Sequence, residues 1–66
     1  MKHVEWCEVR SDVTGREVFL VIAELTAKGW QFYERSTWEV RWYPLPASPE
    51  RVAKAEGIGR GFLPRS

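Results

Sequence analysis

Residues 14–30, TGREVFLVIAELTAKGW, decide the fold, because the same letters fit either a helix or a strand. Three signals favour the helix. Thr14 followed three positions later by Glu17 matches the capping box that satisfies the first free amides of a helix. Val18, Val21, Ile22 and Leu25 recur at i, i+3, i+4 and i+7, one stripe of a helical surface, with Glu17, Glu24 and Lys28 away from it. Lys28 can act as the C-cap and Gly29 as the left-handed residue behind it, which lets Trp30 pack back on Leu25. The competing reading is a second strand: Arg16 to Ile22 is rich in β-branched and aromatic residues, and Asp12 to Gly15 could turn it back along a preceding strand. The helix is the expectation carried forward.

Working outward, Lys2 to Arg10 reads as a first strand, with Val4 and Trp6 on one face and His3, Glu5, Cys7 and Val9 on the other. Downstream, three of the four tryptophans, Trp30, Trp38 and Trp42, fall in or next to Gln31–Tyr43, which reads as a β-hairpin. A turn at Arg35, Ser36 and Thr37 sets Phe32 opposite Val40 and Trp30 opposite Trp42, leaving Gln31, Tyr33, Glu39, Arg41 and Tyr43 on the reverse face. A two-residue turn at Ser36-Thr37 would instead put polar groups on the tryptophan face. Tyr43-Pro44-Leu45-Pro46 should stop the ladder, since proline donates no hydrogen bond. Ser48, Pro49 and Glu50 suit the N-cap, first and second positions of a short helix that Gly57 closes.

These elements give an α+β domain in the order β-α-β-β-α: two layers, a three-stranded sheet with helices over the tryptophan face. The domain spans residues 1–58, and residues 59–66 form a mobile tail rich in glycine and arginine.

Sixty-six residues suffice for one domain, near the lower limit of what a hydrophobic core supports without help. Cys7 is the lone cysteine, so no disulfide can form within one chain and self-association becomes the available support. A lone cysteine also points to a reducing, cytoplasmic setting. The longest apolar run, Val18 to Ala23, is too short for a bilayer, and Met1-Lys2-His3 leads into polar alternation instead of an apolar leader, so no membrane role is expected. Ten basic and nine acidic residues leave a net charge of +1, which excludes a global field for nucleic acid or anionic lipid.

The chemical inventory is thin: His3, Cys7 and Asp12 are the sole residues of their types. On a strand His3 and Cys7 share a face but stand about 13 Å apart, too far for one tetrahedral ion. Among the eight glutamates, Glu5 with Glu8 and Glu34 with Glu39 are the nearest in sequence, at spacings diagnostic of nothing. Gly57-x-Gly59-x-Gly61 lacks the strand, helix and Lys-Ser/Thr of a phosphate loop. No catalytic, cofactor or metal residue is assigned. The residue types suited to binding are Tyr33, Arg35, Arg41 and Tyr43 on or beside the outer hairpin face, with Arg60 and Arg65 in the tail. The first expectation is an interaction module that binds a protein partner or itself through a sheet edge or that outer face. The alternatives are an RNA- or DNA-binding domain using Tyr33, Arg41, Tyr43 and the basic tail, and a small enzyme using Cys7 or a glutamate.

Locally, Leu25-Thr26-Ala27-Lys28-Gly29-Trp30, followed by a strand and a turn at Ser36, resembles the small HicA-type RNA-cleaving toxins, in which a helix ends at Gly-Trp or Gly-Phe before a hairpin. The resemblance covers about a third of the chain. That family carries a catalytic histidine after a Gly-Ser at the hairpin, whereas here Arg35-Ser36 is followed by Thr37 and Trp38, so its chemistry does not carry over.

Overall fold

Two glycines settle the ambiguity in favour of strands. The computed structural model describes residues 2–59, and within them only Gly15 (φ +139°) and Gly29 (φ +106°) have positive φ. Each closes a hairpin. At the first, Asp12 Oδ1 accepts bonds from the Thr14 amide (2.8 Å), the Thr14 hydroxyl (2.6 Å) and the Gly15 amide (3.1 Å). Those bonds, the one from the Thr14 hydroxyl foremost, also hold the Asp12 carboxyl below its ordinary pKa. At the second, Thr26 Oγ1 accepts from the Lys28 amide (3.1 Å) and donates to the Gly29 carbonyl (3.0 Å). Thr14 and Gly29, the residues that suggest helix ends, are therefore turn residues, and side-chain bonds of this kind serve a turn as well as a cap.

The chain is a four-stranded antiparallel meander followed by one helix: β1 (Lys2–Asp12), β2 (Gly15–Thr26), β3 (Gly29–Ser36), β4 (Tyr43–Leu45) and α1 (Pro49–Gly59), with strand order β1-β2-β3-β4. This overturns the three-stranded β-α-β-β-α arrangement. Residues 15–26 are β2, the central strand that joins β1 to β3, and the domain is mostly β. It also removes the helix on which the toxin resemblance rests. The reason is energetic: as a strand this segment pairs with a neighbour on each side, whereas the helical stripe offered burial on one side only.

The second correction concerns the tryptophan hairpin. β3 pairs with β4 as Phe32↔Leu45, Tyr33↔Pro44 and Glu34↔Tyr43, so Phe32 faces Leu45 and not Val40. Residues 37–42 form the connection, with Trp38 74% and Val40 93% exposed. Trp30 stands opposite Leu25 on β2, the same neighbour the helical reading gave it. Pro44 does not end the ladder but sits within the short edge strand, where a missing donor is tolerated.

One face of the sheet carries α1. Val4, Val21, Ala23 and Phe32 meet Ala55 in the core, with Trp6, Trp30, Leu45, Val52 and Ile58 packed around them. Ala23 and Ala55 are fully buried, and their small side chains let the helix lie close to the sheet. Phe32 anchors the aromatic part, with ring centroids 6.2 Å from Trp6 and 6.4 Å from Trp30. Ser48 caps α1 as expected, accepting the Arg51 amide at 3.2 Å. The helix runs through Gly57 to Gly59 instead of closing at Gly57. The rest of the 59–66 tail lies outside the described residues.

A paired substitution tests this assignment. Gly29→Ala forces a side chain into a left-handed conformation and should cost about 1–2 kcal/mol in urea unfolding. Gly57→Ala should instead stabilise by about 0.5–1 kcal/mol, because Gly57 is helical and an added Cβ meets open space. A loss at Gly57 comparable to that at Gly29 would restore Gly57 as a helix terminus. At the core centre, Phe32→Ala should remove roughly 3–5 kcal/mol, enough to leave a domain this small largely unfolded by circular dichroism.

Candidate functional site

Side-chain alternation sorts the charged and aromatic residues onto two faces, and each gathers a cluster. The cluster beneath the helix is built on Glu8. Its carboxylate accepts from Trp6 Nε1 (2.9 Å), Arg10 Nη2 (2.9 Å), and Arg51 Nε and Nη2 (3.2 Å each), so it ties β1 to α1. Arg10 bridges onward to Glu34 on β3, Nη1 to Oε1 at 2.6 Å, an ion pair whose geometry leaves Oε1 without an aligned hydrogen bond. It also lies over the Phe19 ring, 4.2 Å from its centroid. Desolvation alone would raise the Glu8 pKa. The hydrogen bonds from Arg51, Trp6 and Arg10, with the Arg51 charge, outweigh it and bring the value down from 4.5 to about 2.

A carboxylate so saturated with donors is a poor base. The cluster fastens helix to sheet and offers no proton acceptor. Glu5 and Glu8 point to opposite faces of β1, so they form no carboxylate pair. Among the described residues, no group of three His, Cys, Asp or Glu side chains is placed to hold a metal ion.

The second cluster occupies the face that no helix covers. Along β2 it reads Arg16, Val18, Leu20, Ile22 and Glu24, flanked by His3, Glu5, Cys7 and Val9 of β1 and by Gln31, Tyr33 and Arg35 of β3. Its centre is apolar: Leu20, Ile22 and Tyr33 are partly exposed, Val18 is 39% and Val9 56% exposed, and the Cys7 thiol is open to solvent. Arg35 shapes one border. Its Nη1 donates to the carbonyls of Ser36 and Glu39, curling the connection back, and its guanidinium lies 5.3 Å from the Trp42 ring. Trp42 thereby rims a groove of about 460 Å³ that Cys7, Leu20 and Ile22 also line. At its far end His3 Nε2 lies 2.8 Å from Glu5 Oε2.

Of the binding residues expected from sequence, Tyr33 and Arg35 meet on this open face. Tyr43 is on the other side, opposite Glu34, with its hydroxyl 3.1 Å from Glu39 Oε2. Arg41 is exposed in the connection, and Arg60 and Arg65 lie outside the described residues. The sequence reading missed Leu20, Ile22 and Trp42. Its available signal was the run from Val18 to Ala23, apolar at every position, which marks a strand wanted on both faces. No protein-family model matches the chain, and neither a curated protein nor a solved structure matches it significantly.

Because the folded-state pKa of Glu8 lies below its unfolded value, its contribution to stability is present above pH 4.5 and is lost as pH falls from there toward 2. After allowance for solvent screening that loss should be about 1–2 kcal/mol. Glu8→Gln should lower stability at neutral pH and flatten this part of the acid limb. Urea midpoints between pH 5 and 2 check both, and an unchanged acid limb in the variant would remove Glu8 as its source.

Proposed function

We propose that the chain is a protein-interaction module that docks through the helix-free face of its sheet. The observation that carries the reading is the apolar centre of that face. An antiparallel sheet with one solvated side ordinarily places polar residues there. Here Val18, Leu20 and Ile22 of the central strand, with Tyr33 and Trp42 beside them, form one apolar tract in which Val18 and Trp42 are exposed and Leu20, Ile22 and Tyr33 partly so, a feature that marks interaction sites on soluble proteins. Tyr33, Arg35 and Trp42 are also of the types that dominate interface energetics.

The β1 edge is the other available surface. It carries Lys2, His3, Glu5, Glu8, Arg10 and Asp12, a charge density that protects edges from pairing, so the face is favoured over the edge. Nucleic acid fits less well, because the aromatic and basic residues that would serve it divide between the two sides of the sheet. No helix among the described residues is long and apolar enough to cross a membrane. A reducing, cytoplasmic compartment suits the exposed Cys7, which would remain a free thiol there.

A photo-crosslinking amino acid at position 22 tests the reading in the cells that make the protein, with the same group at the exposed turn residue Lys28 as control. Nuclease-resistant protein adducts of defined mass at position 22, absent at position 28, are expected. Adducts with RNA alone, or adducts no stronger than at the control, would overturn it.

A further inference from the structure

The open face is self-complementary, and we infer that its occupant is a second copy of this chain, packed face to face about a two-fold axis through Leu20. The inference rests on the interaction-module reading and names its partner.

On this face the central strand carries, in order, Arg16, Val18, Leu20, Ile22 and Glu24: a cation, three apolar residues and an anion. The two charges are placed symmetrically about Leu20. A two-fold axis in the plane of the interface, crossing β2 at Leu20, reverses the strand direction and lays β2 of one copy along β2 of the other. Leu20 then meets Leu20, Val18 meets Ile22, and Arg16 of each copy meets Glu24 of its partner. The parallel arrangement would stack Arg16 on Arg16 and Glu24 on Glu24, which like-charge repulsion disfavours.

On β3 the axis passes Arg35, the cross-strand partner of Leu20, whose guanidinium is drawn aside to the Ser36 and Glu39 carbonyls and the Trp42 ring instead of toward its own copy. Cys7 pairs with Leu20 across β1 and β2, so it too sits beside the axis. Its copies would face each other within reach of a short bridging reagent. Val9 and Val18, directly opposed on the β1–β2 hairpin, extend past the end of β3, which reaches only as far as Phe19↔Ser36. In the dimer each projecting hairpin covers the Glu5–Ile22 level of its partner. Packed sheets cross at about 30°, which displaces the ends of the central strand by about 7 Å, given ~3.3 Å of rise per residue. The long side chains of Arg16 and Glu24 can bridge that offset.

Charge exchange provides the test. In sedimentation equilibrium the wild-type chain should exceed its 7.7 kDa monomer mass at high micromolar concentration. Arg16→Glu and Glu24→Arg should each weaken association by about tenfold or more, through like charges brought together. The double variant R16E/E24R should return to within about threefold of wild type. Within one chain the two residues stand about 26 Å apart on the same strand, so no intramolecular pair could produce that rescue. Leu20→Glu should give a monomer, and a short bismaleimide should couple Cys7 to Cys7 in the wild type but not in that variant. Circular dichroism melts of each variant confirm folding.

A wild-type monomer up to about 1 mM, or a double variant as weak as the singles, would overturn the inference. The crosslinker at position 22 keeps the two proposals apart. Adducts with a different protein and none with the chain itself would retain the interaction module and overturn the self-complementary dimer.

Discussion

Everything in this structure hangs on two left-handed glycines. Gly15 and Gly29 each complete a tight hairpin turn, and between them they fix both ends of β2. Because side chains alternate with strict period two, placing those turns also decides which residues face the helix and which face away. A slip of one residue at either turn would carry Val21 and Ala23 out of the core and bring Leu20 and Ile22 in. The surface with Arg16 at one end and Glu24 at the other is thus a consequence of turn geometry before it is a matter of side-chain chemistry.

The second determinant is the scarcity of covering material. A four-stranded sheet has two faces, and among the described residues a single helix of 11 residues covers one. That helix is held by three small or medium apolar contacts, Val52, Ala55 and Ile58, and by the charged bonds between Arg51 and Glu8. The charged tie is weaker evidence for stability than for placement. A partly buried ion pair returns little net energy, but its directional bonds fix where α1 lies across β1. With the helix fixed on one side, the other side is left to the curled 37–42 connection, from which Trp42 reaches the rim of the groove.

Much of the local chemistry was legible in the sequence. Lys2 to Arg10 lies in a strand with Val4 and Trp6 on one face, which the structure turns to the core, Ser48 caps the last helix, and Gly29 does adopt a left-handed conformation. What could not be read was which structure each punctuation mark served. A glycine after a lysine closes a helix or a hairpin with the same φ, and Thr14 with its neighbours satisfies turn amides much as it would satisfy helix amides. The tryptophans misled for a related reason. Clustering in sequence suggested clustering in space, yet Trp30 belongs to the core while Trp38 is exposed and Trp42 lies on the opposite side. The loop that separates them contains no glycine or proline to announce its length.

The misreading of β2 and the proposed role of its open face have one cause. A strand in a half-solvated antiparallel sheet alternates apolar and polar residues, and period two then betrays it. From Val18 to Ala23 there is no alternation, since every position is apolar. That pattern imitates a helical stripe, because any i, i+3, i+4 series can be drawn through an unbroken apolar run. In a sheet it has a different meaning: it is the composition of a strand with apolar surroundings on both sides. Here the helix accounts for Val21 and Ala23, and Arg10 lies over Phe19 on the same face, whereas no helix within the described residues covers Val18, Leu20 and Ile22. The sequence of β2 is therefore that of a strand suited to a second layer, which the described residues do not provide, and in the proposed dimer the cation and anion at its two ends set how a copy of the same strand would supply it.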